Sequence, residues 1–438
     1  MVNVMRAFLR VIVLVLAAVA LPAALGTPAV FGALALNEPR ADGAVPPPAP
    51  VEHDPAKPTA VVVVGDNGAV VSDTLAPYEI LATTGAFNVY TVASDTHPVP
   101  LTGGLDLVPD LTFDDLDEMG GAADLVVVPA MPDVGRPTTR PVTDWLETQA
   151  NGGALLLSIC NGAAVVASAG LLDGHRATAH WLRLDDWEGT YPAVDWERGT
   201  RYVDDGDVVS TAGILSGIDG TLHVVDRLIG ADAAADAARA IEWPHFDPDG
   251  AAPMEQAELA TSDAVVAFNT AFGWDRPRIG VQLTDGVGEI ELASVFDTYG
   301  QSLAVDTVAV GAGPVRSRHG LTFVPRADTG TGLDRLVVPG TTDHDALPGM
   351  DPVQYPHHQE GFAFDAVLLD LARTTDVATA QWTAKVLEYP VDDLTLEGPA
   401  WPWAETFRPL ALALVGVLIV LGVFALLRGR RRATRRTR

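Results

Sequence analysis

The only cysteine in the 438 residues lies in a pattern that suits a nucleophile. Residues 154–158 read as a buried strand that runs into Cys160, and a helix rich in Ala and Val begins just after Gly162. A sharp turn from strand to helix pushes its side chain clear of the sheet, and a glycine two positions later lets the helix pass close to the strand. Because a helix N-terminus favours the thiolate, we expect a reactive thiol with a pKa below the ordinary value. The alternative is a small buried apolar side chain, the usual role of a single cysteine.

Ordered motifs lie on both sides of this turn. They are Asp173-Gly-His-Arg-Ala-Thr-Ala-His-Trp181, Asp73-Thr-Leu-Ala-Pro-Tyr-Glu79 and the segments 103–109, 124–129, 202–209 and 211–219. Together they resemble the ThiJ/PfpI family of the class I glutamine amidotransferase-like superfamily, in particular the branch that holds isonitrile hydratase and the sensor domains of AraC-type regulators. The resemblance covers residues 59–231. It implies an α/β fold, a flavodoxin-like parallel sheet sandwiched by helices with a nucleophile elbow at the cysteine.

The resemblance also implies a set of site residues. In related enzymes the elbow cysteine is the nucleophile, an acidic side chain shares a proton with it, and a histidine about twenty residues later lies beside the thiol. By position, the catalytic residues are Cys160, Glu79 or Asp73, and His180. The residues that would hold the substrate or an oxyanion are Asn161, Gly162 and Ala130.

Three departures from the family pattern narrow the chemistry. Asn161 stands where proteolytic members carry His and isonitrile hydratases carry Thr, which puts both reactions in doubt. The turn that includes Ala130 replaces a Gly-rich turn whose N–H groups serve as oxyanion donors. Ser158 replaces the glycine that glutamine amidotransferases place before the nucleophile. Peptidase and glutaminase activities are therefore not expected, and the substrate stays open.

The elements that must position these residues alternate between strand and helix. Apolar runs at 59–64, 87–93, 124–128 and 208–211 predict strands, and the segments 75–85, 137–151 and 218–229 predict helices. Such alternation indicates a parallel sheet covered on both faces, with the site at the carboxyl ends of the strands. We expect the elbow and the turn after the first strand to meet at this edge.

The chain then repeats part of this pattern. Residues 320–325 match 104–109, 335–339 match 124–129, and 361–370 resemble the last helix of the first region. The interval between the second and third of these motifs is much shorter than in the first region, so there is no room for an elbow. We therefore predict a truncated second copy over residues 276–390, after a linker at 232–275, that packs on the first copy in place of a second subunit.

Two apolar segments predict a membrane protein. Residues 410–427 carry no charge, are preceded by Trp401 and Trp403, and would span about 27 Å as a helix. Because seven arginines follow, the positive-inside rule places the tail in the cytoplasm and the domains outside. The first residues read as a signal peptide or an uncleaved anchor. The predicted segments are 1–36 (signal peptide or anchor), 37–58 (Pro-rich linker), 391–409 (juxtamembrane), 410–427 (transmembrane) and 428–438 (cytoplasmic tail).

Composition and residue spacing argue against several other classes of protein and binding site. The formal charge of −29 argues against nucleic acid as a partner, and a single cysteine excludes a disulfide framework. The group Asp343, His344, Asp345, His357 and His358 has no zinc spacing and reads as a solvated loop. The pair Gly311 and Gly313 lacks the features of a dinucleotide site. No metal or cofactor is expected.

Three functional hypotheses are consistent with these observations. The first is a membrane-anchored, extracytoplasmic Cys-dependent hydrolase, hydratase or lyase that acts on a small carbonyl, amide or nitrile-like molecule. The second is a non-catalytic ligand or redox sensor that uses the same pocket. The third is a transcriptional regulator, which the membrane helix and the acidic body disfavour.

Overall fold

The computed structural model describes residues 2–33, 51–119, 123–247, 253–328, 332–340, 353–358 and 361–436. A first α/β unit follows the N-terminal helix α1 (Val2–Ala33). Its strands are β1 (Thr59–Val63), β2 (Asn88–Ala93), β3 (Val99–Leu101), β4 (Leu105–Val108), β5 (Leu111–Thr112), β6 (Leu125–Val128), β7 (Leu155–Ser158), β8 (Arg176–Ala177), β9 (Asp195–Trp196), β10 (Tyr202–Asp204) and β11 (Val208–Thr211). Its helices are α2 (Val71–Thr83), α3 (Phe113–Glu118), α4 (Arg140–Asn151), α5 (Gly162–Ser168), α6 (Leu184–Thr190), α7 (Ser216–Ile229) and α8 (Ala231–Ala240).

The main sheet of this unit has seven strands in the order β10-β11-β7-β6-β1-β2-β5. Its five central strands are parallel and run in the order of flavodoxin-like folds. Strand β1 is buried at all five positions, as expected for a parallel strand covered on both faces. Helices α2, α7 and α8 pack on one face, and α4 and α5 on the other. The parallel sheet between helices is the fold expected from the sequence.

The segment 232–275 is more structured than the predicted linker. It contains most of α8 and a further helix, α9 (Ala264–Phe272), and buries Ala234, Trp243 and Val265 in the core. An Ala-rich helix with one apolar face gains stability from packing against α7, so this segment belongs to the folded body.

A second α/β unit follows. Its elements are β12 (Arg278–Gln282), α10 (Glu289–Ser302), β13 (Asp306–Val310), β14 (Val315–Arg316), β15 (Thr322–Val324), β16 (Arg335–Val337), β17 (Val353–Gln354), α11 (Ala363–Thr374) and α12 (Val377–Leu387). Four of the strands form a parallel sheet in the order β13-β12-β16-β17, which matches β2-β1-β6-β7 of the first unit. After β17 the chain enters a short 3-10 turn, Pro356–His358. The predicted loop group Asp343, His344 and Asp345 lies outside the described residues.

The two units share a four-stranded sheet in the order β14-β15-β4-β3. Strand β15 pairs antiparallel with β4 so that Leu107 faces Phe323, and Asp106 faces Val324. Leu107 and Phe323 occupy equivalent places in the repeated motif, so the pairing is symmetric about them. The Arg326 side chain reinforces this strand pairing through a bidentate ion pair with the buried Asp106, with N···O distances of 2.7 and 3.1 Å.

Helices α2 and α10 pack across the same boundary and exchange hydrogen bonds. The Ser72 N–H, in the first turn of α2, donates to the Asp297 carboxylate at 3.0 Å. The Ile290 N–H, in the first turn of α10, donates to the Glu79 carboxylate at 2.6 Å. Each helix thus supplies an acceptor for the free N–H groups of the other. One continuous apolar core contains side chains of both units.

A long helix ends the described chain: α13 (Trp403–Arg436). It lies against α1, and both helices contact α9. The backbones of α1 and α13 approach closely, because a Cβ at Gly416 would overlap the carbonyl oxygen of Ala17. Both helices are long and apolar enough to cross a membrane. Their large apolar side chains, among them Phe8, Leu16 and Leu418, are exposed.

Candidate functional site

Cys160 lies at the turn between β7 and α5 in a strained backbone conformation. Its φ is 57°, a left-handed value that non-glycine residues rarely adopt. Gly162 makes the turn sterically possible, because a Cβ there would overlap the carbonyl of Val128 on the neighbouring strand. The strain and the close approach together describe the geometry of a nucleophile elbow.

The thiol is buried, and this reverses one expectation from the sequence. Cys160 is only 3% exposed. Burial raises its pKa well above the ordinary value, and the nearby carboxyl of Asp73 raises it further, whereas the backbone N–H of Asn161 lowers it. The expected depression by the helix N-terminus is therefore outweighed by desolvation. The resting group is a thiol, so a reaction must remove its proton.

Asp73, in the first turn of α2, is the carboxyl with the largest electrostatic effect on the thiol. It is completely buried, and its Oδ2 accepts a hydrogen bond from the Ala130 N–H at 3.1 Å. Its Oδ1 has no hydrogen-bond partner among the described residues. Burial raises the pKa of this carboxyl well above its ordinary value and so favours the neutral acid. A buried acid with a free oxygen is suited to donate a proton.

Glu79 was predicted together with Asp73 for the same role, but its side chain has other partners. Its carboxylate accepts hydrogen bonds from Ile290 N–H at 2.6 Å and from Arg318 at 3.0 Å, both in the second unit. Burial and the neighbouring charge of Glu289 raise its pKa to about 7. Of the two candidate carboxyls, the structure brings Asp73 into the surroundings of Cys160 and engages Glu79 at the boundary between the units.

His180 is likewise held by backbone groups. Its Nε2 donates to the carbonyl of Val386 at 2.8 Å, and its Nδ1 accepts from the Leu182 N–H at 3.3 Å. Burial lowers the pKa of the imidazole to about 4, so the ring is neutral. Both ring nitrogens are occupied in this arrangement. A proton shuttle through His180 would first have to break one of these bonds.

The predicted oxyanion donors are also partly engaged. The N–H of Ala130 donates to Asp73, and the N–H of Gly162 donates to the Ile159 carbonyl at 2.8 Å. The Asn161 side chain accepts from Trp187 Nε1 at 2.8 Å, while its backbone N–H lies at the sulfur. The backbone amide of Asn161 is therefore the predicted donor that remains directed at the thiol.

Sequence reasoning missed one group, Glu388, which the second unit contributes. It follows α12 with a left-handed φ of 54°, and its Oε2 accepts hydrogen bonds from the Gly213 N–H and the Ser216 hydroxyl, each at 2.6 Å. Its Oε1 has no hydrogen-bond partner among the described residues. The charge of Glu388 raises the pKa of both Cys160 and Asp73. No motif in the sequence links this position to the elbow.

A separate cluster of possible metal ligands lies at the boundary between the units. Ligand atoms of Glu79, Glu289 and His319 lie within 4.8 Å of one another. Glu289 accepts hydrogen bonds from Ser317 and His319, and Arg318 is paired with Glu79. Because a guanidinium and several N–H and O–H donors already neutralise these oxygens, we interpret the cluster as an ion-pair network that joins the units.

Known proteins match mainly the first unit. Residues 59–227 match the family model described as the DJ-1/PfpI family. An isonitrile hydratase of Pseudomonas putida is 32% identical over 194 residues, which cover 44% of this chain and 81% of that protein. The glutathione-independent glyoxalase DJR-1.2 of Caenorhabditis elegans is 30% identical over 33% of this chain and 76% of that protein.

A regulator matches over a smaller share of its own length. The HTH-type transcriptional regulator CdhR of Pseudomonas aeruginosa is 30% identical over 145 residues, which cover 33% of this chain and 42% of the regulator. The similarity thus spans less than half of that protein. It supports a common fold for the matched region and leaves the activity of the whole regulator outside the comparison.

Proposed function

Because the chain belongs to the DJ-1/PfpI family, we propose that it is a Cys-dependent enzyme that acts on a small molecule with an electrophilic carbon. The observation that carries this proposal is the strained elbow: Cys160 has a φ of 57° beside a completely buried carboxyl with one free oxygen. Folded proteins keep such strain where the surrounding structure enforces it, and it concentrates at functional sites.

The proposed reaction class is thiol addition to a carbonyl, nitrile-like or isonitrile carbon. The sulfur of Cys160 forms a bond to this carbon. At a carbonyl or nitrile carbon the π electrons move to the adjoining oxygen or nitrogen, which takes a proton from Asp73. At an isonitrile the attacked carbon itself takes this proton, and a thioimidate results. A hydrolase, hydratase or lyase differs only in the steps that release the adduct. The activities for which two relatives are named, isonitrile hydration and glyoxalase chemistry, both start from small electrophiles and guide the choice of test substrates.

Turnover of three small probes tests this proposal. The full chain in detergent is incubated with benzyl isonitrile, methylglyoxal or benzonitrile, and consumption is followed by NMR. We expect one probe to be consumed, with a rate at least about 100-fold lower in Cys160→Ser and in Asp73→Asn. Equal rates in wild type and Cys160→Ser would overturn the proposal.

A ligand sensor is the second candidate, and the burial of the thiol favours it. Cys160 is 3% exposed and the second unit covers this edge of the sheet, which suits retention of a ligand more than rapid exchange. Redox sensing is less well supported, because a raised thiol pKa slows oxidation. Saturable binding of a probe without any turnover would support the sensor.

For the second unit we propose the role of a built-in partner. It is a truncated copy of the first unit, and it covers the apolar surface that a second subunit would otherwise cover. The symmetric pairing of Leu107 with Phe323 supports this proposal, as do the hydrogen bonds that Glu79 and Asp297 accept from the opposite unit.

For the acidic body as a whole, we propose that its partners are small molecules and not nucleic acid, because its net negative charge repels phosphate groups.

For α1 and α13 we propose a two-helix membrane anchor in which α1 is retained. Gly416 allows close packing against Ala17, as small residues do between membrane helices. Gly26, in the C-terminal part of α1, and Arg408, in the N-terminal part of α13, both lie against Phe272, so the helices run antiparallel from the same side of the body. Both chain termini would then lie in the cytoplasm with the arginine-rich tail, and both units outside.

A further inference from the structure

We propose that Glu388, supplied by the second unit, is the base that removes the proton from the Cys160 thiol. This inference rests on the proposed function, because it concerns a step of the same site. It makes the second unit part of the catalytic machinery in addition to a structural partner. The active site is then complete only when both units are present.

The position of Glu388 follows from the sheet. Strands β7 and β11 are neighbours, with Ser158 paired to Ser210. Cys160 follows β7 by two residues and Gly213 follows β11 by two residues, so both leave the carboxyl edge of the sheet side by side. The Glu388 carboxylate accepts a hydrogen bond from the Gly213 N–H, which places this carboxylate at the same edge.

The second unit holds the carboxylate there through several contacts. The Leu215 N–H donates to the Leu387 carbonyl at 3.0 Å, and His180 donates to the Val386 carbonyl at 2.8 Å. Gly213 is needed for this approach, because a Cβ there would overlap the Glu388 side chain. Residues 386–388 are therefore fixed against the first unit immediately before and at the proposed base.

One oxygen of Glu388 is held and the other is free. Oε2 is fixed by two donors, Gly213 N–H and Ser216 Oγ, whereas Oε1 is buried without a partner among the described residues. An unpaired carboxylate oxygen in the interior costs free energy, and this oxygen is left able to accept a proton. The free oxygen of Asp73 lies in the same electrostatic neighbourhood.

Charges around the two carboxyls separate their roles. Burial raises the pKa of Glu388 to about 7, with Ser216, Gly213 and Arg201 opposing the rise and Asp219 adding to it. Asp73 has its pKa raised well above the ordinary value, and it has a single hydrogen-bond donor. Glu388 is thus suited to accept a proton and Asp73 to donate one, which are the roles of a base and an acid.

The proposed step balances in atoms and charge. The S–H bond of Cys160 breaks and its proton passes to Oε1 of Glu388, while the sulfur forms a bond to the electrophilic carbon. At a carbonyl or nitrile the π electrons move to the adjoining oxygen or nitrogen, which takes the proton of Asp73; at an isonitrile the attacked carbon takes this proton. The step begins with an ionised Glu388 and a neutral Asp73, and it ends with a neutral Glu388 and an ionised Asp73.

Alkylation of Cys160 by iodoacetamide tests this inference without a known substrate. The full chain in detergent is labelled between pH 5 and 9, and the rate constant is measured by intact mass. We expect the wild-type rate to rise through a midpoint near pH 7, and Glu388→Gln to lose this rise and react at least about tenfold more slowly at pH 7.5. Glu397→Gln, the same change at an exposed position on the following loop, serves as the control and should match wild type.

A purely electrostatic role for Glu388 gives the opposite result. Because its charge raises the pKa of the thiol, removal of that charge alone would speed alkylation. A faster or unchanged Glu388→Gln variant would therefore overturn the inference. Should this variant fail to fold, Ser216→Ala replaces it: loss of one donor to Oε2 should move the midpoint upward, and an unmoved midpoint would overturn the inference.

The experiments can refute the proposed enzyme and the role of Glu388 independently of each other. A wild-type midpoint near pH 7 that disappears in Glu388→Gln, without Cys160-dependent turnover of any probe, would support the proton transfer and overturn the enzyme. Turnover that is lost in Cys160→Ser and unchanged in Glu388→Gln would support the enzyme and overturn Glu388 as its base.

Discussion

The Oγ atom of Ser216 donates a hydrogen bond of 2.6 Å to the Oε2 atom of Glu388. These two residues belong to different α/β units, and the contact is buried. It ties the first residue of α7, the helix that follows β11, to the residue directly after α12. Under the proposed mechanism, the chemistry of the first unit depends on the position of the second.

We predict that the folded thiol has a pKa above the roughly 8.5 of a free cysteine, because burial and the charge of Asp73 both oppose ionisation. The ultraviolet absorbance of the thiolate, taken as the difference between wild type and Cys160→Ser, measures this directly against pH. Since the chain has a single cysteine, the difference contains no other thiol. The same titration in denaturant is the control, and a folded midpoint at or below the denatured one would be incompatible with the structure.

We predict that Glu79 makes stability depend on pH in a definite direction. Its folded pKa of about 7 lies above the ordinary 4.5, so its favourable contribution is complete below pH 4.5 and is lost as the pH rises through 7. Relative to Glu79→Gln, wild type should therefore lose on the order of 1–3 kcal/mol of unfolding free energy between pH 5 and 8.

Urea denaturation of both proteins at several pH values measures this difference. Glu118→Gln, the same change at an exposed position, should show no comparable dependence. A wild type that gains stability over this range relative to Glu79→Gln would show that the carboxyl is ionised and well paired at the boundary.

We predict that the two units unfold together, because one apolar core spans both and Phe323 lies at the centre of the shared sheet. Phe323→Ala should destabilise the whole body by about 3–5 kcal/mol and leave a single transition. Leu228→Ala, at a position that is 40% exposed, should cost much less. Two separate transitions in wild type would disprove the shared core.

We predict that α1 is retained and that both termini are cytoplasmic. Terminal sequencing of the mature protein should find the segment 2–33 intact, and reporters fused to either end should be active in the cytoplasm. Cleavage after α1 would remove the close contact that Ala17 makes with Gly416, and an N-terminal reporter outside the cell would contradict the antiparallel arrangement of the two helices.

Much of the first unit could be predicted from the sequence. Continuous apolar strands such as β1 and β7 define a parallel sheet, and the combination of Cys160 with Gly162 defines the sharp turn. These features are local, because neighbouring residues determine them. The antiparallel pairing of β4 with β15 depends on contacts between distant segments, and the repeated motif indicated only that two similar pieces exist.

The electrostatics of the site could not be predicted from the local sequence. The local pattern indicated a thiolate at a helix N-terminus, whereas the burial that raises the thiol pKa comes from the assembled body. Glu79 and Asp73 lie in one motif, yet only the packing of α10 on α2 directs Glu79 to the second unit. Glu388 lies far along the chain from the elbow and follows no recognised motif, so no sequence signal connected it to Cys160.

The most direct test of the account is the search for a covalent bond between substrate carbon and Cys160. The full chain is mixed with the probe that it consumes, quenched in acid and measured by intact mass and peptide mapping. We predict a mass increase of one probe molecule on the peptide that contains Cys160, absent from Cys160→Ser. Probe consumption at the same rate in Cys160→Ser, with no modified peptide in wild type, would contradict the account.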